Sequence, residues 1–279
     1  MNAIQLLIID AQNDFCDRPF AGALPALPAL PVPGAYQDCL RLVRLIDRLA
    51  EAIDSVIVSL DLHHSIDLAH HTMWRDANGA LPPPFTQVTA ADVRHGRYRA
   101  LAAAISADAE QYILEYLQNL EQLGLALTLW PPHCLVGSPG ANVNPELAGA
   151  LQRWESKRFK AIDVIEKGRN IWTESFSALK AVIPYPGDAD TDLNRHLLEL
   201  LAGRQPVWVA GQASSHCVRQ TVLDLLQYGP ADIAERLTLL TDCMSPVPGC
   251  EALAEQFFDD VRRRGVRLAA TSELGPCWP

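Results

Sequence analysis

Four side chains of complementary reactivity lie far apart along the chain: Asp10, Asp61, Lys167 and Cys217. A carboxylate, an amine and a thiol suffice for attack on a carbonyl carbon. The sulfur is the nucleophile, a carboxylate in a dry site takes its proton, and the ammonium fixes charge and orientation. Cys217 follows the turn Gly211-Gln212-Ala213-Ser214-Ser215-His216, just where a helix is expected to begin. The positive end of a helix dipole favours thiolate there, and amide N–H groups of such a turn can point inward as an oxyanion hole. A buried structural ion pair is the competing reading of Asp10 and Lys167, but it leaves the sulfur unexplained. His216 is not read as the partner of Cys217, because adjacent residues at a helix start face apart. Asp61-Leu62-His63 has a D-x-H spacing that suits a divalent metal completed by a distant third ligand. His64, His70 and His71 extend the candidates without ordering them, and His133 in Trp130-Pro131-Pro132-His133-Cys134 reads, taken alone, as a loop histidine.

These groups act together only if the chain gathers them. Ile4–Ile9 is an apolar run ending at Asp10, and 56–60 is another ending at Asp61. The run 161–166 ends at Lys167-Gly168, and 206–210 ends at Gly211. Further strands are predicted at 237–240 and 266–270, and helical spacing at 35–53, 217–228 and 251–264. Strands that alternate with helices make an α/β fold with a mostly parallel sheet and helices on both faces. In such sheets the site lies beyond the carboxyl ends of the strands, where Asp10, Asp61 and Lys167 stand. Residues 62–128 read as an insertion, His-rich at first, with Pro82-Pro83-Pro84 in the middle, a helix near 106–123 and a brief strand at 127–130. The stretch Ala23-Leu24-Pro25-Ala26-Leu27-Pro28-Ala29-Leu30-Pro31 reads as a rigid loop across one end of the sheet.

Composition excludes several classes. The chain has 279 residues, 49% apolar and 20% charged, which suits a large core and excludes a disordered protein. A net charge of −10 without a Lys/Arg run argues against nucleic acid as a partner. Arg262-Arg263-Arg264 reads as a cationic helix end. No apolar run approaches the roughly 18 residues of a membrane span. Seven cysteines, at 16, 39, 134, 217, 243, 250 and 277, form no C-x-x-C pair, and Met1-Asn2-Ala3-Ile4-Gln5 lacks the charged start of a secretion signal. The expectation is a cytoplasmic protein without a disulfide framework, in which every cysteine but Cys217 behaves as a small hydrophobe.

Taken in order, several segments resemble the isochorismatase-like cysteine hydrolases, and the nicotinamidases most closely. They are Ile8-Ile9-Asp10-Ala11-Gln12-Asn13-Asp14-Phe15, Leu30-Pro31-Val32-Pro33-Gly34-Ala35, Asp61-Leu62-His63, the stretch from Trp130 to Ala141, Val164-Ile165-Glu166-Lys167-Gly168, and Val209 to Val218. The resemblance implies a three-layer α/β/α fold with a sheet of about six strands, one domain over 1–279 with the 62–128 insertion packed at its rim. It implies a catalytic triad of Asp10, Lys167 and Cys217 that releases ammonia from a small carboxamide through a thioester. It also implies a cis peptide at Gln212-Ala213, an oxyanion hole from the N–H groups of Ala213 and Cys217, and a ring pocket lined by Phe15 and Trp130. A divalent metal, zinc by preference, would be held by Asp61, His63 and His133. Family members commonly form homo-oligomers, and the insertion is a natural interface.

The chain also departs from the family. Leu62 stands where an aromatic is usual, and His70-His71-Thr72-Met73-Trp74 replaces a short His-Ser-Phe element. The stretch between His63 and His133 is unusually long, and Gln212 and His216 differ from the common turn. Two alternatives follow: a hydrolase of the same fold acting on another substrate, such as an N-carbamoyl compound, or a non-catalytic relative whose insertion binds a partner.

Overall fold

The alternation of side chains along a strand divides the hydrophobic residues of this chain between two layers. In β1 (Ile4–Ile9), Leu6 and Ile8 face one core while Leu7 and Ile9 face another. A strand apolar on both faces must be covered on both. The computed structural model, which describes residues 3–18, 27–104 and 107–275, shows how this is done. The proline-rich stretch at 23–31 is therefore described only from residue 27, and residues 23–26 and Cys277 lie outside the described residues.

In chain order, β1 leads to α1 (Ala35–Leu49) and β2 (Ile53–Asp61). The segment that follows carries β3 (Trp74–Asp76), β4 (Thr86–Val88), α2 (Ala90–Arg94), β5 (Tyr98–Ala100), α3 (Ala107–Gln122) and β6 (Leu127–Leu129). Then come α4 (Pro145–Arg158), β7 (Asp163–Lys167), α5 (Arg195–Leu200), β8 (Val207–Gly211), α6 (Cys217–Tyr228), α7 (Ile233–Arg236), β9 (Leu237–Leu240), α8 (Glu251–Arg263) and β10 (Arg267–Ala269). Six strands form one sheet in the order β10-β9-β8-β1-β2-β7, every neighbouring pair parallel. On one face Leu42, Leu45 and Ile46 of α1 and Trp154 of α4 cover Leu6 and Ile8. On the other, Val218, Val222 and Leu225 of α6 and Phe257 and Val261 of α8 cover Leu7 and Ile9. The fold is the expected three-layer α/β/α arrangement.

Parallel pairing puts all the carboxyl ends on one rim. Asp61 and Lys167 are registered partners at the ends of β2 and β7, and Ile9 pairs with Gly211 at the end of β8. Above that rim, the segment after β2 folds into two antiparallel two-stranded sheets, β3–β5 and β4–β6. In α3, Ile113, Tyr116, Leu117 and Leu120 recur at helical spacing. They bury against Leu68, Trp74 and Leu129 in a cluster continuous with Phe15, Trp130 and Ala213. This segment therefore packs behind Phe15 and Trp130.

Some boundaries shift from expectation. Strand β2 begins at Ile53, and α1 stops at Leu49. Lys167 is the last residue of β7. Apolar periodicity marks neither α4 nor α5. The Asn144 side chain caps α4 by accepting from the N–H groups of Glu146 and Leu147 at 3.2 and 3.4 Å, with Pro145 inside the first turn, a legible start signal on a weakly amphipathic helix. The last turn of α8 carries Arg262 and Arg263, as a cationic helix end should. Among the described residues no helix is long and apolar enough to cross a membrane.

Candidate active site

Each member of the expected triad is presented by the end of an element. Asp10 follows β1 with φ 45°, a conformation that Asp tolerates better than most residues, and is fully buried. Lys167 closes β7, and Cys217 opens α6 with His216 at the cap. Lys167 Nζ lies 2.9 Å from Asp10 Oδ2 and 3.0 Å from Asp61 Oδ1. It also donates to Ser175 O at 2.9 Å and approaches Cys217 Sγ at 3.6 Å. Carboxylate oxygens of Asp10 and Asp61 and the Cys217 sulfur lie within 4.8 Å of one another. Ser59 donates its hydroxyl to Asp10 Oδ1 at 2.5 Å.

Electrostatics give these groups different tasks. Burial raises the Asp10 carboxyl above its ordinary range, and Lys167 and Ser59 only partly oppose it. Asp10 is thus a better base than a solvated carboxylate. Burial alone would lower Lys167, yet Asp10, Asp61 and the Cys217 sulfur raise it well above the usual value, so it stays charged. At Cys217 burial dominates and raises the thiol well above its usual value, against the pull of Lys167. This direction is opposite to the one expected from a helix start. Sγ sits in a dry site beside the carboxylates of Asp10 and Asp61, whose charges oppose a further anion there.

In the turn before Cys217 the Gln212–Ala213 peptide is cis. Ser214 N–H donates to Ser245 O at 2.9 Å, and the N–H groups of His216 and Val218 donate to Ala213 O at 3.0 and 3.2 Å. Among the described residues, no acceptor within the turn takes the N–H of Ala213 or Cys217. His216 turns from the sulfur: Nδ1 pairs with Ser215 Oγ at 2.8 Å, and its ring packs on Trp130 and Phe176. The cleft over Cys217 is lined by Phe15, Trp130, Phe176, Ala213 and Val247 on its apolar side and by Asp61, His133 and Glu174 on its polar side. Phe176 and Glu174 were not singled out by spacing. Glu174 Oε2 accepts from Trp130 Nε1 at 3.0 Å and Oε1 from Ser175 N–H at 3.0 Å. Asp14, also unforeseen, ties the loops of the site together, accepting from Ala29 N–H at 3.1 Å and Cys134 N–H at 2.7 Å.

Asp61 joins this cleft to a histidine cluster. His63 Nε2 lies 3.0 Å and His133 Nε2 3.6 Å from Asp61 Oδ2. His63 Nδ1 pairs with Asp67 Oδ2 at 2.8 Å, and His133 Nδ1 with Pro131 O at 2.9 Å. Both rings therefore aim Nε2 at a common point, with the outer nitrogen held as in a second coordination shell. His70 completes the group. It is fully buried, neither ring nitrogen has a partner, and donor atoms of His63, His70 and His133 lie within 4.8 Å of one another. Burial and the neighbouring His63 and His133 push its pKa down to about 2. An unpartnered buried imidazole is costly unless something binds it, and three imidazoles with one carboxylate suit zinc or a similar divalent ion. Of the other candidates, His64 is exposed, and His71 Nδ1 is taken by Pro82 O at 3.0 Å.

No family model matches the chain. The nicotinamidase of Escherichia coli (strain K12) is 30% identical over 225 residues, covering 80% of this chain and 76% of that protein. An Acinetobacter baumanii nicotinamidase/pyrazinamidase structure aligns with TM-score 0.64 at 20% identity, covering 99% of each chain. The pyrazinamidase of Pyrococcus horikoshii, solved in complex with zinc, aligns with TM-score 0.53 at 18% identity, covering 96% of this chain and 98% of that one. Fold, curated relative and segment order agree, and the chain belongs to the isochorismatase-like hydrolase family, on its nicotinamidase side.

Proposed function

We propose that this chain hydrolyses a small nicotinamide-like carboxamide to the acid and ammonia, with Cys217 as nucleophile. Its nicotinamidase relatives support a hydrolase of linear-amide C–N bonds. The observation that carries the finer reading is the single buried constellation in which Lys167 Nζ lies 2.9 Å from Asp10 Oδ2 and 3.6 Å from Cys217 Sγ. In the proposed reaction Asp10 takes the thiol proton as Sγ attacks the amide carbon. The N–H groups of Ala213 and Cys217 receive the developing oxyanion. Asp10 returns the proton to the leaving nitrogen, and ammonia departs, leaving a thioester. Asp10 then draws a proton from the water that attacks the thioester, which frees the acid and restores the thiol. Lys167 keeps the Asp10 carboxylate oriented throughout.

Phe15, Trp130 and Phe176 hold the ring of the substrate by edge and face contacts. The donor set described above fits a divalent metal held by Asp61, His63, His70 and His133, with zinc the ion that the Pyrococcus horikoshii structure contains. When bound, that ion supplies a Lewis-acid anchor for a ring nitrogen. Ammonia release from nicotinamide tests the reading, with the Cys217→Ala protein alongside. Rapid turnover that this variant loses by about 10³-fold or more supports it. A Cys217→Ala protein with undiminished turnover overturns it.

A further inference from the structure

The turn that carries the nucleophile is gripped from outside the cleft by a buried carboxylate. Gln212 is one of the places where that turn departs from the family's common pattern, and the residue is 1% exposed. Its amide is used at both ends. Nε2 donates to Asp38 Oδ2 at 2.9 Å, and Oε1 accepts from Ser245 N–H at 3.3 Å. Ser245 closes the set, since its hydroxyl donates to the same Asp38 Oδ2 at 2.7 Å. Asp38 stands in the first turn of α1, 3% exposed, and its other oxygen accepts from Arg41 Nη2 at 2.9 Å. Burial raises the Asp38 carboxyl, while these three donors favour its anion. Gly34, just before α1, leaves room for Ser245: a Cβ there would stand 2.8 Å from the hydroxyl oxygen.

These bonds bracket one peptide group. The N–H of Ala213 belongs to the peptide that Gln212 begins. On the near side of that peptide, Gln212 N–H donates to Ile9 O at 2.8 Å, one residue before Asp10. On the far side, Ser214 N–H donates to Ser245 O at 2.9 Å. Turning the Ala213 N–H therefore disturbs Gln212 on one side or the Ser245 bond on the other. Buried amide donors are costly to leave unpaired, so the Asp38 carboxylate fixes how the Gln212 side chain lies and steadies the peptide that follows. Asp38 is not among the residues that line the cleft, whereas Ala213 and Cys217 are.

We propose that Asp38 is a positioning residue for this reaction: through Gln212 and Ser245 it holds the turn so that the Ala213 N–H meets the oxyanion formed when Cys217 attacks. This rests on the amidase reading above and adds to it a residue that touches neither substrate nor nucleophile.

The test measures ammonia release from nicotinamide, with thermal melting alongside, for wild type, Asp38→Asn, Gln212→Glu and the protein carrying both changes. In Asp38→Asn the new amide keeps its oxygen for Arg41, so its NH2 meets the NH2 of Gln212. In Gln212→Glu two carboxylates meet. The double variant restores a donor facing an acceptor in the reverse sense, still offers an oxygen to Ser245 N–H, and leaves the net charge unchanged. Expected is a kcat about tenfold or more below wild type in each single variant, about the worth of one charge-assisted hydrogen bond, with KM little changed. The double variant should recover most of that loss. A lowered melting temperature with wild-type kcat, the mark of a purely structural role, overturns the proposal. So does a double variant as slow as the single ones. Should the charged variants fail to fold, Gln212→Met, similar in volume and uncharged, decides: a kcat about tenfold down at unchanged KM supports the role, and a wild-type kcat overturns it. Turnover by wild type with unaltered variants sinks the positioning role alone and leaves the amidase reading intact. No ammonia from wild type overturns the amidase reading itself, and the role of Asp38 with it.

Discussion

Asp61 Oδ1 lies 3.0 Å from Lys167 Nζ while Oδ2 of the same carboxylate faces His63 Nε2 at 3.0 Å. One side chain therefore belongs to both clusters, the cysteine cleft and the histidine group. His63 and Lys167 hold the Asp61 carboxyl well below its ordinary range despite its burial, so it remains an anion between them. Asp61→Asn should then do more than weaken a metal site. It also removes one of the two carboxylates that keep Lys167 in place. We expect its kcat/KM to fall about tenfold or more below that of chelator-treated wild type, the worth of one charge-assisted hydrogen bond. Equal activity of the two preparations would show that Asp61 acts through the metal alone.

The pH dependence follows from Asp10. Its carboxyl is raised by burial, and it must be ionised to take the thiol proton. Activity should therefore be lost as pH falls through this raised value, at a pH above the ordinary carboxylate range near about 3.9. Ser59 donates to Asp10 Oδ1 at 2.5 Å and so favours the ionised form. Ser59→Ala should move the acidic limb of kcat/KM to higher pH, by about one to two units if the bond is worth about 1.5–3 kcal/mol. A pH profile with an unmoved limb, or one moved downward, would contradict Asp10 as the base.

Much of this architecture was readable from pattern alone. β1, β9 and α6 coincide with their apolar runs because each buries a full face, and the ends of β1, β2 and β7 bring Asp10, Asp61 and Lys167 to one rim. α4 and α5 escaped because capping and tertiary cover, more than amphipathic periodicity, define them. The second histidine of the 70–71 pair could not be separated from the first by spacing, because only the fold buries His70 and turns His71 toward Pro82. The upward push on the Cys217 thiol was likewise illegible: a helix start argues for a lowered value, and only three-dimensional burial supplies the opposing effect. Asp67 had a local signal, four residues after His63, but nothing in one sequence says that its carboxylate faces that ring.

Gly168 carries a constraint that its place after Lys167 hints at. Its φ is +80°, and a Cβ there would run into Asp61 Oδ1. Gly168→Ala should keep the fold by circular dichroism while displacing the carboxylate shared by the two clusters. The backbone strain costs about 1–3 kcal/mol, and a misplaced reacting group costs about 10² in rate. Full activity in a Gly168→Ala protein of normal melting temperature would refute this account of the glycine.

The metal assignment is best tested away from the ligands themselves. Asp67 Oδ2 receives the Nδ1 proton of His63 at 2.8 Å and Oδ1 accepts from Ala69 N–H at 2.9 Å, so the carboxylate is fixed before it fixes the ring. Asp67→Asn weakens that orientation and the basicity of Nε2. It should lower zinc affinity about 10–100-fold, the usual effect of an outer-shell partner, measured by competition with a chromophoric chelator. His70→Ala should lower it as well, because it removes a donor from the cluster. The exposed His64 supplies the control: His64→Ala should bind zinc as wild type does. If His70→Ala matches wild type while Asp67→Asn does not, the ion is held by Asp61, His63 and His133 alone, and the two unpartnered nitrogens of His70 need another explanation.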